Sequence, residues 1–317
     1  MGLISERKRI TDILPSLLVV LCGIILFAFP AYASAGAKQG TELCLNVVVP
    51  SLFPFFVLSN LICRSRVSLL LGRIFSPLMK FFSLPSSCGG VFLLGLLSGF
   101  PVGAEGSVSL VSEDRCSKGQ AERLLALSNN SSPAFIISAA GAGLFGSVSI
   151  GWTMFFCQLI SIFIAGFLTS RLYREKGTVF SSVQERSIRP FPLVFTESVV
   201  DAFFSVMKVC SFVIFFIMLT NLPVKAGVFG VDGVGKTLLS GFLEMTSGFG
   251  SLSALPLRTA FAFSGFFLGW AGLSVHCQVA VFALKGGLSL RPYLFTRILQ
   301  ATICGGLTFL SSFFFFS

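Results

Sequence analysis

Long apolar blocks separated by short basic segments run along almost the whole chain. Each block holds about 20 residues with few charges, the length that an α-helix needs to cross ~30 Å of hydrocarbon. Lys and Arg cluster between the blocks, as at Arg64, Arg73 and Arg115. The pattern predicts about seven transmembrane helices, at residues 13–33, 43–63, 124–145, 147–172, 199–222, 259–284 and 293–316.

Two further apolar stretches are interrupted at their centres by small and polar residues. Residues 88–112 contain SGFPVGAEG, and residues 237–257 contain EMTSGFGS. Basic segments flank the first stretch on both sides, which indicates that the chain enters and leaves the membrane on one face. We therefore expect two re-entrant helical hairpins. Residues 67–82 are expected to form an amphipathic helix at the interface, and Pro50 and Pro54 predict a kink in the second span.

Composition excludes a soluble globular domain. Apolar residues make up 54% of the chain and charged residues 11%, against roughly 25% charged residues in ordinary soluble domains. The net charge of +10 would suggest a nucleic acid in a soluble protein, but Lys and Arg lie in the short segments between spans. That distribution reports membrane topology, so we expect the lipid bilayer as partner, no nucleic acid, and a cytoplasmic N-terminus.

The two halves of the chain repeat one plan. LLGLLSGFPVGAEG and the span with LLALSNNSSPAFIISAAGAG parallel LLSGFLEMTSGFGS and the span with FAFSGFFLGWAGLSVH. If all basic loops lie on the cytoplasmic face, the second unit crosses the membrane in the direction opposite to the first. The two units then form an inverted repeat, an arrangement that places a solute site near the midplane. The chain divides into five parts. They are an N-terminal transmembrane helix (1–42), a first repeat unit with hairpin 88–112 (43–145), a connecting helix and basic cytoplasmic loop (146–198), a second, inverted repeat unit with hairpin 237–257 (199–284) and a C-terminal transmembrane helix (285–317). Residues 31–33 resemble a signal-peptidase site, although a retained first helix fits the later spans better.

Ionisable and amide residues inside the interrupted segments are candidates for contact with a solute. Glu105 and Glu244 occupy corresponding hairpins, and an ionisable group at membrane depth is a functional candidate by default; a hydrated or paired carboxylate at the hairpin mouth is the alternative. Four polar residues precede Pro133, which prevents regular helical bonding and leaves carbonyl and amide groups free. They are Asn129, Asn130, Ser131 and Ser132; bonding between helices is their structural alternative.

Small residues of the hairpins would let helix N-termini approach a carboxylate closely, although tight packing is an equally good reason for them. These are Ser98, Gly99 and Gly103 in the first hairpin and Thr246 and Ser247 in the second. His276 could relay protons near neutral pH, and Ser274 completes the set of candidates for substrate binding. The scattered cysteines have no C-x-x-C spacing, so we expect no metal site and no cofactor; a coupling ion, proton or sodium, is left open.

Residues 230–237, GVDGVGKT, match the Walker A pattern letter by letter. A working P-loop needs a buried strand before it and an α/β domain around it, whereas here a membrane span precedes the motif. We therefore expect no nucleotide hydrolysis. Because the chain also lacks a Ser/His, paired-Asp or H-E-x-x-H constellation, we expect no enzyme.

Four sequence segments resemble those of a known protein family: PSLFPFF, GLLSGFPVGA, ERLLALSNNSSPAF and FLGWAGLSVHCQV. They look like the sporulation integral membrane proteins with nucleoside-recognition, or Gate, domains, which are distantly similar to concentrative nucleoside transporters. The match runs from about residue 44 to residue 300, and it is weaker at residues 223–236 and in the second hairpin. The resemblance implies two hairpins that meet two broken helices around a substrate.

Together these patterns predict an all-α polytopic membrane protein with about seven transmembrane helices and two re-entrant hairpins in an inverted repeat. The resemblance implies a transporter for a small organic anion, with dipicolinic acid moving from mother cell toward forespore as the leading solute, in the outer forespore or mother-cell membrane of a bacterium. A nucleoside-type transporter and a non-transporting sporulation scaffold are the alternatives. A homo-oligomer and sporulation membrane partners are left open.

Overall fold

The computed structural model describes residues 26–65, 67–173, 190–225 and 233–316, with isolated positions 17, 20 and 22–24 before them. Within these ranges the chain is helical throughout and contains no strand. Four helices are long and apolar enough to cross a membrane, or five if one bent pair counts as a single span. The predicted span 13–33 lies partly outside the described residues, so the count of about seven spans remains a prediction.

The chain enters its described part through one long, bent helical run. Helix α1 (Pro30–Leu43) continues through a π-helical turn (Cys44–Val48) into α2 (Val49–Arg64). The axes of Pro30–Val48 and Leu52–Ile62 differ by 55°, which confirms the kink expected from Pro50 and Pro54. Because proline lacks a backbone N–H, it removes a helical hydrogen bond and favours such a bend. The run begins at Pro30, earlier than the predicted boundary at residue 43.

Short helices replace the continuous interfacial helix predicted for residues 67–82. The chain turns between α3 (Val67–Ile74) and α4 (Ser76–Phe81), with a proline in the first turn of α4. The first interrupted stretch follows as α5 (Cys88–Ser98) and α6 (Val102–Ser112), which pack against each other. The break at residues 99–101 contains Gly99, whose φ of +82° favours glycine.

The span predicted at residues 124–145 is broken. It consists of α7 (Lys118–Ser128), an extended segment at residues 129–132, and a π-helix (Phe135–Leu144). Ser117 and Gln120 form a reciprocal capping box at the start of α7. Helix α8 (Val148–Leu172) is then a straightforward span of 25 residues, as predicted.

The second half repeats this order of elements after the long helix α9 (Phe191–Lys225), which begins earlier than the predicted span 199–222. Helices α10 (Val234–Leu243) and α11 (Met245–Ser251) pack against each other on either side of Glu244. A broken pair follows, α12 (Leu257–Trp270) and α13 (Leu273–Lys285), and a final span, α14 (Arg291–Phe315). Ala271 and Gly272 form the second break, both with positive φ.

Buried apolar side chains form three clusters among the described residues. One joins α4 to α7 with α13, and a second joins the π-helix Phe135–Leu144, α8, α11, α12 and α14. The third holds α1, α2 and α9 together, through residues such as Phe56, Val206 and Ile217, and Val102 of α6 packs against it. Two bodies therefore pack side by side: the α1–α2–α9 body, and a repeat body that contains both hairpins and both broken pairs.

Glycines permit the closest helix crossings of the repeat body. A Cβ atom added at Gly269 of α12 would lie 2.4 Å from the Cα of Ala301 in α14. Backbone atoms cannot move aside as flexible side chains can, so this crossing requires glycine. Gly306, on α14 itself, has open space at the corresponding position.

Gly269→Ala is therefore expected to lower the free energy of unfolding by about 1–3 kcal/mol, the usual result of overpacking a tight contact. Gly306→Ala is the matched control and should leave stability unchanged or slightly raised, because alanine is the better helix former. Reversible unfolding in mixed detergent micelles measures both. Equal stabilities of the two variants would contradict the close crossing of α12 and α14.

Candidate functional site

Both hairpins and both broken pairs meet at one cavity. It lies between the repeat body and the α1–α2–α9 body. Its lining is Val47, Val48, Leu52, Gly99, Phe100, Ser131, Ser132, Phe135, Val209, Val213, Glu244, Met245, Thr246, Val275 and Gln278. We call this space the central cavity.

The central cavity has two chemically different walls. The α1–α2–α9 body contributes apolar side chains alone, from Val47 and Leu52 on one side to Val209 and Val213 on the other. Polar side chains lie on the side of the repeat body: Ser131 and Ser132 at the first broken span, Glu244 and Thr246 at the second hairpin, and Gln278 within α13. A solute in the cavity would contact aliphatic surface on one side and hydrogen-bonding groups on the other.

The tip of the first hairpin borders the cavity at Gly99 and Phe100. A Cβ atom at Gly99 would lie 3.2 Å from the backbone nitrogen of Ser132, so the tip approaches the first broken span closely. Ser98 is buried behind the tip. Gly103 lies away from the cavity, against Ser128 at the end of α7, which is the packing alternative to an anion site.

Of the four polar residues before Pro133, two line the central cavity and two point away from it. Ser131 and Ser132 line the central cavity. Asn129 points the other way, where its Oδ1 accepts from the backbone N–H of Ala104, 3.1 Å away in the first turn of α6. Its Nδ2 donates to the carbonyl oxygen of Leu125 at 2.7 Å. Asn129 thus satisfies free backbone groups at two helix ends.

Asn130 belongs to a buried polar network that the sequence analysis missed. Its Oδ1 accepts from Nη2 of Arg297 and from Nε2 of Gln300, each at 3.1 Å. Arg297 also donates to the carbonyl oxygen of Ala126 and is 0% exposed. The basic positions near the start of the last span were assigned to the membrane face, but Arg297 lies inside the repeat body. Its spacing of three from Gln300 in an apolar helix was the available signal.

Gln158 extends the network to the wall of the central cavity. Its Nε2 donates to the carbonyl oxygen of Ser131, 3.0 Å away. Ser131 is therefore held from behind by α8, while Asn130 is held by α14. These contacts fix the extended segment 129–132, which separates α7 from the π-helix.

Glu244 separates the two helices of the second hairpin and lines the central cavity. Its carboxylate accepts from the backbone nitrogens of Thr246 and Ser247, at 3.0 and 2.6 Å, and from the Thr246 hydroxyl. Glu244 is 2% exposed, and no ion pair among the described residues includes it. Thr246 reaches the cavity, whereas Ser247 serves to hold the carboxylate.

In the second broken pair, the cavity is reached by Gln278, not by the predicted His276. Nδ1 of His276 lies 2.9 Å from the hydroxyl of Tyr293, and the ring meets Trp270 edge-on. Ser274 accepts a hydrogen bond from Nε2 of Gln278. Gln278 and Glu244 both line the cavity, and the Oε1 of Gln278 is buried without a partner among the described residues.

Glu105 is separated from Glu244, although the sequence placed them in corresponding positions. It lines a second cavity, of about 820 Å³, between the first hairpin and α2. Gly99, Ser131, Ser132, Glu244 and Thr246 are thus the predicted residues that line the central cavity. Among the described residues no cluster of His, Cys, Asp and Glu could hold a metal ion.

The network around Asn130 yields a stability prediction. Asn130→Ala removes the oxygen that accepts from both Arg297 and Gln300, and leaves a buried charged donor without it. We expect a loss of about 1–3 kcal/mol in the free energy of unfolding. Asn221→Ala, which removes one exposed bond to Gln39, should change it by less than ~0.5 kcal/mol. Denaturant titration in detergent measures the free energy of unfolding of both variants. Equal losses in Asn130→Ala and Asn221→Ala would argue against the network.

Comparison with known proteins supports the resemblance that the motifs indicated. The chain is 28% identical over 313 residues to the sporulation integral membrane protein YlbJ of Bacillus subtilis (strain 168), a match that covers 87% of this chain and 76% of that protein. No protein-family model and no solved structure matches the chain, so the nucleoside-recognition, or Gate, domain stays a prediction. The chain is an integral membrane protein, similar over most of its length to a sporulation integral membrane protein.

Proposed function

We propose that this protein is a transporter that moves a small organic anion across a membrane, with dipicolinic acid, passing from mother cell toward forespore, as the leading solute. The observation that carries the proposal is the central cavity, where four interrupted segments meet. Interrupted helices at membrane depth are tolerated where they line a cavity or are covered by protein. They are also the usual elements of solute sites in transporters built from repeats.

The walls of the central cavity fit a small planar solute with polar substituents. An aromatic ring could lie against Val209 and Val213. Its carboxyl groups would then face the Ser132 hydroxyl, which can donate a hydrogen bond.

The proposal includes an inverted repeat of about seven spans and two re-entrant hairpins, with the N-terminus in the cytoplasm. Contacts between the two repeat units support it. Phe135 of the first broken span meets Phe249 of the second hairpin edge-on, and the Ser131 hydroxyl lies 3.4 Å from the sulfur of Met245. On the other side, Val108 of the first hairpin lies against Gly286 after the second broken pair.

Movement of the repeat body against the α1–α2–α9 body is the proposed mechanism. The central cavity lies between these bodies, and their buried apolar residues form different clusters, with Val102 of the first hairpin packed against the cluster of α1, α2 and α9. A displacement of one body against the other would open the cavity. The sporulation setting rests on the name of the relative, which states a sporulation integral membrane protein and no solute.

A nucleoside-type solute is the second candidate, and the acceptors of the cavity favour it. Glu244 presents a carboxylate, and Gln278 an oxygen without a partner among the described residues. Acceptors recognise the hydroxyl and amino groups of a nucleoside. A carboxylate at the wall disfavours a bare anion, so an anionic solute would have to enter together with a cation or a proton.

Purified protein in liposomes tests the proposal. We expect exchange of labelled dipicolinate across the membrane, faster than in empty liposomes and competed by unlabelled dipicolinate. Competition by uridine or adenosine with uptake of the labelled nucleoside would favour the second candidate. Movement of neither solute would remove the proposed function and leave the non-transporting scaffold.

Variants of the polar wall localise the site. Gln278→Leu and Thr246→Val keep the side-chain volume but remove hydrogen-bonding atoms from the central cavity. Each should raise the apparent KM roughly two- to tenfold, which corresponds to the ~0.5–1.5 kcal/mol of one net hydrogen bond. Thr302→Val, on an exposed face of α14, is the matched control. An unchanged KM in both wall variants would place the site elsewhere.

A further inference from the structure

Arg297 is a buried cation without an acidic partner. It is 0% exposed, and no ion pair among the described residues includes it. Its Nη2 donates to the carbonyl oxygen of Ala126 and to Oδ1 of Asn130. Its Nε and Nη1 are buried and have no partner in the described part of the chain. The Tyr293 ring, with its centroid 5.6 Å from the guanidinium carbon, offers only a neutral aromatic face.

The groups that bind Arg297 leave most of its charge uncompensated. Ala126 lies near the C-terminal end of α7, and a helix end carries roughly half an elementary charge. The amide of Asn130 contributes a dipole and no net charge. A net positive charge therefore remains inside the repeat body. Over ~10 Å, at an effective dielectric constant of about 20, a unit charge changes a binding constant by on the order of tenfold.

A short path of bonds joins Arg297 to the central cavity. Asn130 accepts the hydrogen bond of Arg297 at 3.1 Å, and the next residue, Ser131, lines the cavity. Gln300 donates to the same oxygen of Asn130, and Gln158 donates to the carbonyl oxygen of Ser131. These bonds fix the polar segment relative to α8 and α14. The charge of Arg297 is thus held one residue behind the polar wall of the cavity.

The same polar segment also contacts the hairpin that bears Glu244. The Ser131 hydroxyl lies 3.4 Å from the sulfur of Met245, the residue that follows Glu244. The Glu244 carboxylate accepts from neutral groups of its own hairpin, the N–H groups of Thr246 and Ser247. Asn130 and Ser131 therefore connect an element with a buried cation to an element with a buried carboxylate.

The lining of the central cavity by itself would disfavour an anion. Among the lining residues that the structure describes, Glu244 is the one with an acidic side chain, and none is basic. A carboxylate repels a second negative charge. Arg297 is absent from the lining, so it cannot bind the solute directly, but its field acts on the cavity through the segment that it holds.

We infer that Arg297 determines the charge selectivity of the central cavity: it offsets the carboxylate of Glu244, so that the cavity accepts an anionic solute. The inference rests on the proposed function and deepens it, because it assigns the preference for an anion to one residue. Arg297 acts through Asn130 and Ser131 and is a positioning residue. Without its charge, Glu244 would dominate and the cavity would prefer a neutral solute.

Two solutes that differ in charge but share one ring test the selectivity: dipicolinate and its neutral diamide. Isothermal titration of purified protein in detergent gives the binding constant of each. The wild type should prefer dipicolinate. Arg297→Gln should lower the ratio of the two constants by on the order of tenfold, and Arg297→Lys, which keeps the charge, should keep the ratio. A purely structural role would weaken both solutes alike.

Arg258→Gln is the matched control for the loss of an arginine. Arg258 is exposed and also donates to a backbone carbonyl, that of Phe316 at 2.7 Å. Its charge faces solvent, where it is screened. The ratio of the two binding constants should therefore stay at the wild-type value.

Gln300→Glu neutralises Arg297 in place and decides the question if Arg297→Gln does not fold. Residue 300 lies three positions after Arg297 on α14, a spacing at which side chains meet. A carboxylate there can pair with the Nε and Nη1 groups that lack partners among the described residues. We expect the same fall in the ratio. Gln300→Met removes the same amide without adding a charge, and should keep the ratio.

An unchanged ratio in Arg297→Gln or in Gln300→Glu would overturn the inference, and so would an equal fall in Gln300→Met. Preference of the wild type for the diamide would also overturn it. The two levels of the proposal fail in different ways. If the wild type binds neither solute, the proposed function fails and the inference falls with it. If the wild type binds dipicolinate while the charge variants keep its ratio, the inference alone is wrong.

Discussion

Backbone groups inside a membrane must find hydrogen-bond partners within the protein, and the rest of this structure depends on how the four interruptions meet that constraint. Each break frees N–H and C=O groups where water is scarce. At the first broken span, Asn129 accepts from the N–H of Ala104 and donates to the carbonyl of Leu125. At the second hairpin, Glu244 accepts two backbone N–H groups. Polar side chains at the breaks thus maintain the interruptions, and the interruptions form the cavity.

The buried charge of Arg297 must also find its partners within the protein. It has no carboxylate partner in the described ion pairs, but it lies at the end of α7, where it donates to the carbonyl of Ala126 and to Asn130. The C-terminal end of a helix carries partial negative charge, so it stabilises a cation there. Burial of Arg297 is tolerable because α7 stops at Ser128 instead of crossing the membrane. The end of α7 thus stabilises the buried charge of Arg297, and Arg297 supplies a hydrogen bond to the Ala126 carbonyl at that end.

The central cavity lies between the two bodies, and this position suits relative movement. Helices α1, α2 and α9 form their own apolar cluster, against which Val102 of the first hairpin packs, while both hairpins belong to the repeat body. The polar side chains of the cavity wall come from the repeat body and the other body supplies apolar ones. Under the proposed mechanism, the central cavity would bind the solute and movement of the repeat body would open it.

The sequence alone determined that the protein is helical and lies in a membrane, and where both hairpins and the first broken span are interrupted; the break at Ala271 and Gly272, inside the predicted span 259–284, was not predicted. Apolar block length and charge placement depend on the thickness and polarity of the bilayer, and Pro, Gly and Asn act on their own backbone, so these features are local. The kink at Pro50 and Pro54 and the breaks at Gly99 and before Pro133 were therefore predictable. Exposure to the cavity was not, because it depends on which neighbour each side chain meets.

Tertiary structure decided that Ser131 and Ser132 face the cavity while Asn129 and Asn130 hold it from behind, and that Glu105 and Glu244 lie in different cavities. It also brought Arg297, Gln300, Gln158 and Gln278 to the site from helices that read as ordinary spans. A polar side chain at a break can form hydrogen bonds with the free backbone groups of either neighbouring helix. The packing of α8, α9 and α14 around the breaks determines which one, and residues distant in the sequence carry that information.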